Sequence, residues 1–204
     1  MIFEKYGYVK YPRLTGDAAA DVREILERNG KAKTFVHVRN VAEVSRGIAR
    51  QFGLDEEKCA VSGLLHDISA VLAPADMLNY AEENGFDLCD AERKFPFLLH
   101  QRISRIAAEE AFGIRDLDVL TAIECHTTLK DAPTGYEMAL FLADKLAWDQ
   151  DGAPPFYDEV KNALNRSMEK ACWEYMRYMN DNGKVLCPHT NWDLAYEWLE
   201  KRVG

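Results

Sequence analysis

Five histidines occur in the 204-residue chain, and His37, His66, His100 and His126 each fall near the start or end of a segment with helical periodicity. The gaps between them are 29, 34 and 26 residues, and a further 18 lead to Asp144. Each gap equals about one helix plus a return segment, so a helical bundle can gather all five positions at one end. Imidazole nitrogen and carboxylate oxygen are donors that borderline transition metals prefer. Asp67 follows His66 directly. Neighbours on a helix point about 100° apart, so in mid-helix the two cannot face one pocket. At a helix end they can converge on an ion from adjacent directions, and the aspartate can bridge two cations through its two oxygens. A single helical histidine is more often an ordinary core or surface residue than a ligand. The ordered series His, His-Asp, His, His, Asp is what points to a metal centre.

The elements that must position these residues are helical. Periodicity begins near Thr34 and runs to Gly53; Asp55 caps a second helix that leads to His66 and Asp67. Pro74 introduces a helix over 75–84 closed by Gly85, and another spans 100–112, closed by Gly113. Asp116 opens a helix that leads to His126, and the next, over 136–148, holds Asp144. A turn is expected at 150–155, one long helix over 157–180 and a last helix over 191–203. Residues 21–28 read as helix, while 3–11 read as a hairpin arm or an irregular wrap. The expectation is one all-α domain: an N-terminal extension (1–33), a metal-binding core (34–148) and C-terminal helices (149–204).

Composition narrows the partners. Hydrophobic residues make up 48% and charged residues 29%, an ordinary globular mix, and 25 basic against 34 acidic side chains give a net charge of −9. That balance argues against nucleic-acid backbones and anionic membrane surfaces. The apolar run at 138–143 is far shorter than a membrane span, and the charged start does not resemble a signal peptide. Five widely spaced cysteines without a Cys-x-x-Cys pair fit a reducing, cytoplasmic setting.

The series His37, His66-Asp67, His100, His126 and Asp144 resembles the ligand set of the HD-domain metal-dependent phosphohydrolase superfamily. More narrowly, the stretches at 63–68 (Gly-Leu-Leu-His-Asp-Ile), 98–100 (Leu-Leu-His), 112–114 (Phe-Gly-Ile), 126–128 (His-Thr-Thr) and 142–145 (Leu-Ala-Asp-Lys), with a Pro-His-Thr tail at 188–190, resemble the YqeK-type members. Those split diadenosine tetraphosphate symmetrically into two ADP. The resemblance implies a single-domain HD-type bundle with a metal site at one end. It implies that His37, His66, Asp67 and Asp144 hold one metal, and that His100 and His126 hold a second, with Asp67 bridging. Iron is the metal it suggests, and the mixed nitrogen and oxygen set also admits manganese, zinc or cobalt. The expected chemistry is attack of a metal-activated bridging hydroxide on a phosphoanhydride of a nucleoside polyphosphate, with Asp67 and His66 as the catalytic residues.

Substrate contacts are expected from Thr127 and Thr128, which either donate to phosphate or end their helix, and from Lys145, which either meets phosphate or pairs with Asp144 or Asp149. Arg39 and Arg102 each lie two residues after a series histidine and are further candidates for an anion; Trp148 is placed to stack on a base. His189 lies outside the series and is expected to pack or cap near the last helix. Two departures from the family pattern bear on substrate. Ala70 stands where the family usually has a lysine, and the segment after Lys145 lacks the usual Glu-Pro and arginine. Alternatives therefore stay open: another nucleotide (mono-, di-, triphosphate or cyclic) as substrate, or a catalytically quiet nucleotide-binding HD protein. The aromatic stretch at 173–178 is either core or a homodimer face.

Overall fold

A computed structural model describes residues 1–148 and 152–203. Among the described residues it contains eleven α-helices and three 3-10 turns, with no strand. Residues 3–11 form no hairpin arm; a 3-10 turn (Ile2–Lys5) is followed by an irregular wrap that buries Phe3.

Local signals set most helix starts and stops. α1 (Ala18–Arg28) begins where Asp17 accepts the N–H groups of Ala19 and Ala20, satisfying orphan donors of the first turn. α2 (Ala32–Phe52) stops at Gly53, whose φ of 69° suits a residue without a Cβ. α3 (Glu56–Leu65) takes its cap from Asp55, and a 3-10 turn (Ile68–Val71) follows it. α4 (Pro74–Glu83) has proline in its first turn. The short α5 (Asp90–Lys94) and a 3-10 turn (Pro96–Leu99) run into α6 (His100–Glu110). α7 (Leu117–Glu124) is capped by Asp116, and α8 (Gly135–Leu146) by a Thr134–Glu137 capping box. α9 (Tyr157–Leu164), α10 (Met168–Asp181) and α11 (Thr190–Val203) complete the chain.

The buried scaffold is α2, α3, α7 and α8, which pack on one another; α10 covers α8 from the other side and carries α9 and α11. The apolar run at 138–143 is wholly buried at the centre of the bundle. That explains its composition, and among the described residues no single helix is long and apolar enough to cross a membrane. Within the aromatic stretch at 173–178, Tyr175 and Met176 belong to this core.

Three boundaries differ from expectation. The helix expected over 157–180 is two, because Ser167 is extended (φ −161°, ψ 158°) and its hydroxyl caps α10 by accepting the N–H of Lys170. The helix expected to reach Trp148 ends at Leu146, with Ala147 leaving helical geometry. The turn expected at 150–155, and any pairing of Lys145 with Asp149, fall on positions that lie partly or wholly outside the described residues.

The C-terminal segment is tied to the bundle through one buried carboxylate. Glu92 is 2% exposed; it accepts two hydrogen bonds from Arg102 Nη1 (3.0 and 3.2 Å) and one from the Cys89 N–H (3.1 Å). Burial opposes its charge, but His189 and Arg102 outweigh burial and hold its pKa near about 2, against an ordinary 4.5. A depressed carboxylate contributes stability above its unfolded pKa and loses it as pH falls toward the folded value. The shift corresponds to about 3 kcal/mol at neutral pH. Glu92→Gln is therefore expected to lose about that much stability at pH 7, and its gap to wild type should close between about pH 4.5 and 2. Urea unfolding across pH checks this, and a gap that stays constant with pH contradicts it.

Candidate metal centre

All six residues of the series meet at one end of the scaffold. His37 lies in the second turn of α2, and His66 is the residue that ends α3, with Asp67 opening the 3-10 turn behind it. His100 is the first residue of α6, His126 follows the end of α7, and Asp144 lies in the last turn of α8. The carboxylates are the hubs. Asp144 Oδ1 is 3.0 Å from His37 Nε2 and 3.6 Å from His66 Nε2. Asp67 Oδ2 is 3.7 Å from His66 Nε2, while its Oδ1 is 3.4 Å from His100 Nε2 and 3.6 Å from His126 Nε2. Asp67 thus sits between a His37–His66–Asp144 group and a His100–His126 pair. Three overlapping sets of these residues offer ligand atoms within 4.8 Å of one another.

The proton positions follow from the backbone. His66 Nδ1 is 2.8 Å from Gly63 O, His100 Nδ1 is 2.7 Å from Phe97 O, and His126 Nδ1 is 2.8 Å from Ile123 O. Each acceptor is the carbonyl three residues earlier, in the last turn before the ring, where carbonyls are short of helical partners; Phe97 O also accepts the backbone N–H of His100. A carbonyl can only accept, so Nδ1 carries the proton, and Nε2 of a neutral ring presents a lone pair. Three such lone pairs converge. His66 Nε2 is buried with no hydrogen-bond partner, and the Nε2 atoms of His100 and His126 are 2.9 Å apart. Two lone pairs held that close repel unless a cation lies beside both. Neighbouring donors on an ion with metal–nitrogen bonds of about 2.1 Å are separated by about 3.0–3.4 Å. The donor set therefore fits transition-metal ions.

Electrostatics agree. Burial opposes charge on Asp67, but His66, His126 and His100 outweigh it and hold the carboxyl well below its usual range. Asp144 is likewise held low, against burial, by Lys145, His37 and His66. Burial also opposes a proton on His66, yet Asp67 and Asp144 raise its pKa to about 9, so without an ion its Nε2 takes a proton that a bound cation would displace; burial and the neighbouring His66 push His126 down to about 4, leaving its Nε2 lone pair free. Two carboxylates committed to the charged state, with rings nine-tenths or more buried behind them, make a centre that attracts positive charge.

Beside it opens a cavity of about 370 Å³ lined by Phe97, Thr127, Lys145, Tyr175, Leu186 and Trp192, among others. Lys145 bonds Asp144 Oδ2 and lies over the rings of Phe141 and Tyr175 at 5.2 and 5.9 Å. Thr127 Oγ1 is 3.2 Å from His100 Nε2 and so faces the metal centre. Phe97 stacks on the His100 ring (4.9 Å, 7°) and is 56% exposed, which leaves its outer face open.

Two expected substrate contacts, Thr128 and Arg39, are turned to other roles in this structure, although Thr128 also lines the cavity. Thr128 is buried, its one hydroxyl proton goes to Leu129 O at 2.9 Å, and its oxygen accepts from Gln101, so it braces its own turn. Arg39 is exposed on α2, about 200° around the axis from His37 by helix geometry, and points away from the cluster. Arg102 is held by Glu92 and by Asp87 O. His189 is not in the cluster: its Nδ1 accepts the N–H of Asn191 at the start of α11. That acceptance places its proton on Nε2, aimed at Glu92 Oε1 3.8 Å away. The trio Cys89, Glu92 and His189 lies close enough to hold an ion, but a protonated Nε2 has no lone pair to offer one; at 3.8 Å it meets Glu92 electrostatically and makes no hydrogen bond. Sequence reasoning missed Phe97, Gln101 and the carbonyl partners, since nothing in residue type marks a backbone acceptor or a buried amide.

The comparisons with known proteins agree with this geometry. The HD domain model matches residues 34–149. An uncharacterized protein in the pepC 5′ region of Lactococcus lactis subsp. cremoris is 38% identical over 136 residues, covering 66% of this chain and 70% of its own length. A symmetrical bis(5′-nucleosyl)-tetraphosphatase of Bacillus subtilis is 25% identical over 171 residues, covering 81% and 88%. A crystal structure from Clostridium acetobutylicum, described as an HD superfamily hydrolase involved in NAD metabolism, superposes with a TM-score of 0.81 at 27% identity. The match covers 94% of this chain and all of that one. With more than half its length inside the family's own pattern and the family's residue types converging at one end of the bundle, the chain belongs to the HD-domain family of metal-dependent hydrolases.

Proposed function

We propose that the chain hydrolyses a phosphoanhydride of a dinucleoside polyphosphate, with diadenosine tetraphosphate split to two ADP. The observation that carries this is the six-donor centre, with Asp67 between its two groups, opening beside a largely apolar cavity that also holds Lys145 and Thr127. His37, His66, Asp67 and Asp144 would hold one cation and His100 and His126 a second, shared through Asp67; iron is the first metal to try, then manganese, zinc and cobalt. Two such cations supply an activated water at neutral pH and absorb charge that builds on the phosphorus oxygens.

The chain's own residues supply the rest. Asp67, 26% exposed, would face the reacting phosphate from the hub position, and His66, fully buried beneath it, would act through the ion it holds. Lys145, whose ammonium stays charged because Asp144 outweighs its burial, sits where cavity and metal centre meet and neutralises phosphate. Thr127 donates its hydroxyl to a phosphate oxygen. The open face of Phe97 takes a base by stacking, which is worth about 1–3 kcal/mol per base. Four relatives carry names that specify this substrate class, at 24–29% identity, and they support the reading.

Ala70, in the place of the family's usual lysine, favours testing a second reading in which another nucleotide is cleaved. A metal-reconstituted nucleotide panel with products separated by chromatography decides. Two ADP as sole products from diadenosine tetraphosphate is the expected result, and Phe97→Ala should raise KM about tenfold or more with kcat little changed. AMP plus ATP, or cleavage of mononucleotides alone, overturns the dinucleotide reading; tight binding without turnover under every metal indicates a quiet binding protein.

A further inference from the structure

The two groups of the metal centre are held in different ways. His37 and His66 both meet Asp144, so α2, α3 and α8 are pinned by a shared carboxylate. His100 and His126 share only Asp67 Oδ1, at 3.4 and 3.6 Å, and Asp67 is also the carboxylate that reaches His66 through its other oxygen. Each ring takes its direction from its own carbonyl; α6 and α7 pack on each other, and the polar groups that cross from the start of α6 to the end of α7 add the finer constraint on ring spacing.

Gln101 makes that crossing. It follows His100, is 1% exposed, and presents its amide to the turn that carries His126. Its Oε1 accepts the Thr127 N–H at 3.0 Å and its Nε2 donates to Thr128 Oγ1 at 3.2 Å. A backbone N–H can only donate, so the orientation of the amide is fixed by its partners. The turn needs external support: Leu129 has φ 54°, a left-handed conformation for a residue with a branched side chain, and is fully buried. Gln101 also satisfies the N–H of Thr127, which follows the end of α7. Apart from the contacts of His100 Nε2 with His126 Nε2 and Thr127 Oγ1, the hydrogen bonds spanning α6 and this turn among the described residues all involve Gln101.

We propose that Gln101 is the positioning residue that holds His100 and His126 at ligand spacing, so that it governs cation affinity in their half of the centre and leaves the His37–His66–Asp144 half alone. This rests on the two-cation reading above. The amide touches neither substrate nor ion; it acts by keeping two mutually repelling lone pairs 2.9 Å apart. Residues that orient ligands in this indirect way change metal affinity by about 10–100-fold when lost.

The test is cobalt titration into metal-free protein, followed by metal content and visible absorption, with circular dichroism and melting temperature recorded alongside. Gln101→Met keeps length and volume and removes both hydrogen bonds. Gln101→Glu keeps the acceptor for Thr127 and loses the donor. Wild type should take two equivalents. Gln101→Met should take one with wild-type affinity and the second about 10–100-fold more weakly, with Gln101→Glu measurably weakened at the second site but by less than Gln101→Met. Two equivalents at wild-type affinity in Gln101→Met, with only a lower melting temperature, show a packing residue and overturn the proposal. If Gln101→Met does not fold, Gln101→Glu with two wild-type sites and an unchanged spectrum overturns it equally. A wild-type protein that takes fewer than two equivalents, or a His126→Ala variant that still takes two, fails the two-cation reading itself and removes the basis for the brace.

Discussion

Asp67→Ala is expected to lower metal-dependent hydrolase activity by more than about 10³-fold while leaving the fold intact. Asp67 is the one carboxylate whose two oxygens face different imidazoles, Oδ2 toward His66 and Oδ1 toward His100 and His126. Its loss separates the two halves of the centre and removes one of the two negative charges that draw cations in. Losing a single electrostatic partner of a transition state costs about 10²–10³-fold, and here a shared ligand is lost as well. The backbone does not depend on this side chain: it makes no side-chain cap of the 3-10 turn it opens and is 26% exposed. Circular dichroism should therefore match wild type while metal content falls below one equivalent. Activity within tenfold of wild type would remove Asp67 from the mechanism.

Gly63→Ala is expected to destabilise the protein by about 3 kcal/mol and to depress activity even where the variant is folded. A Cβ at Gly63 would lie 2.6 Å from Ala42 Cα and 2.8 Å from Ala42 N. Both are backbone atoms of α2, so no rotamer change relieves the clash, and the two helices must separate. They are also the helices that carry His37 and His66, whose rings are 5.4 Å apart. Gly47 on α2 is the control: a Cβ there meets nothing within 4 Å, so Gly47→Ala should be neutral or slightly stabilising. Urea unfolding of the two variants measures the contrast. A cost below about 1 kcal/mol for Gly63→Ala would show that the helices can part without penalty.

The helices and the six donors were legible because their signals are local. Asp55, Asp116, Pro74 and Gly53 state their roles in residue type, and the spacing of the histidines matches one helix and return per ligand. The break between α9 and α10 was not legible, since a serine within a periodic run reads as a tolerated helix residue until its hydroxyl is seen capping. The surroundings of Thr128 and Arg39 were not legible for a related reason. Residue type says that a hydroxyl or guanidinium can meet phosphate, but only packing says whether the proton is already spent or the side chain is turned away. Gln101 escaped notice because a buried amide has no periodicity and no motif.

The three imidazoles aimed by peptide oxygens carry an evolutionary consequence. The acceptor belongs to the main chain, so it imposes almost no demand on which amino acid stands three places before each histidine: here glycine, phenylalanine and isoleucine do the same job. Steric needs restrict position 63, but the clip itself survives any substitution that keeps the turn. Ligand direction is thus inherited through backbone shape while the surrounding letters drift. Two chains that share about a quarter of their residues, as this one does with its Clostridium acetobutylicum counterpart, can then keep the same architecture.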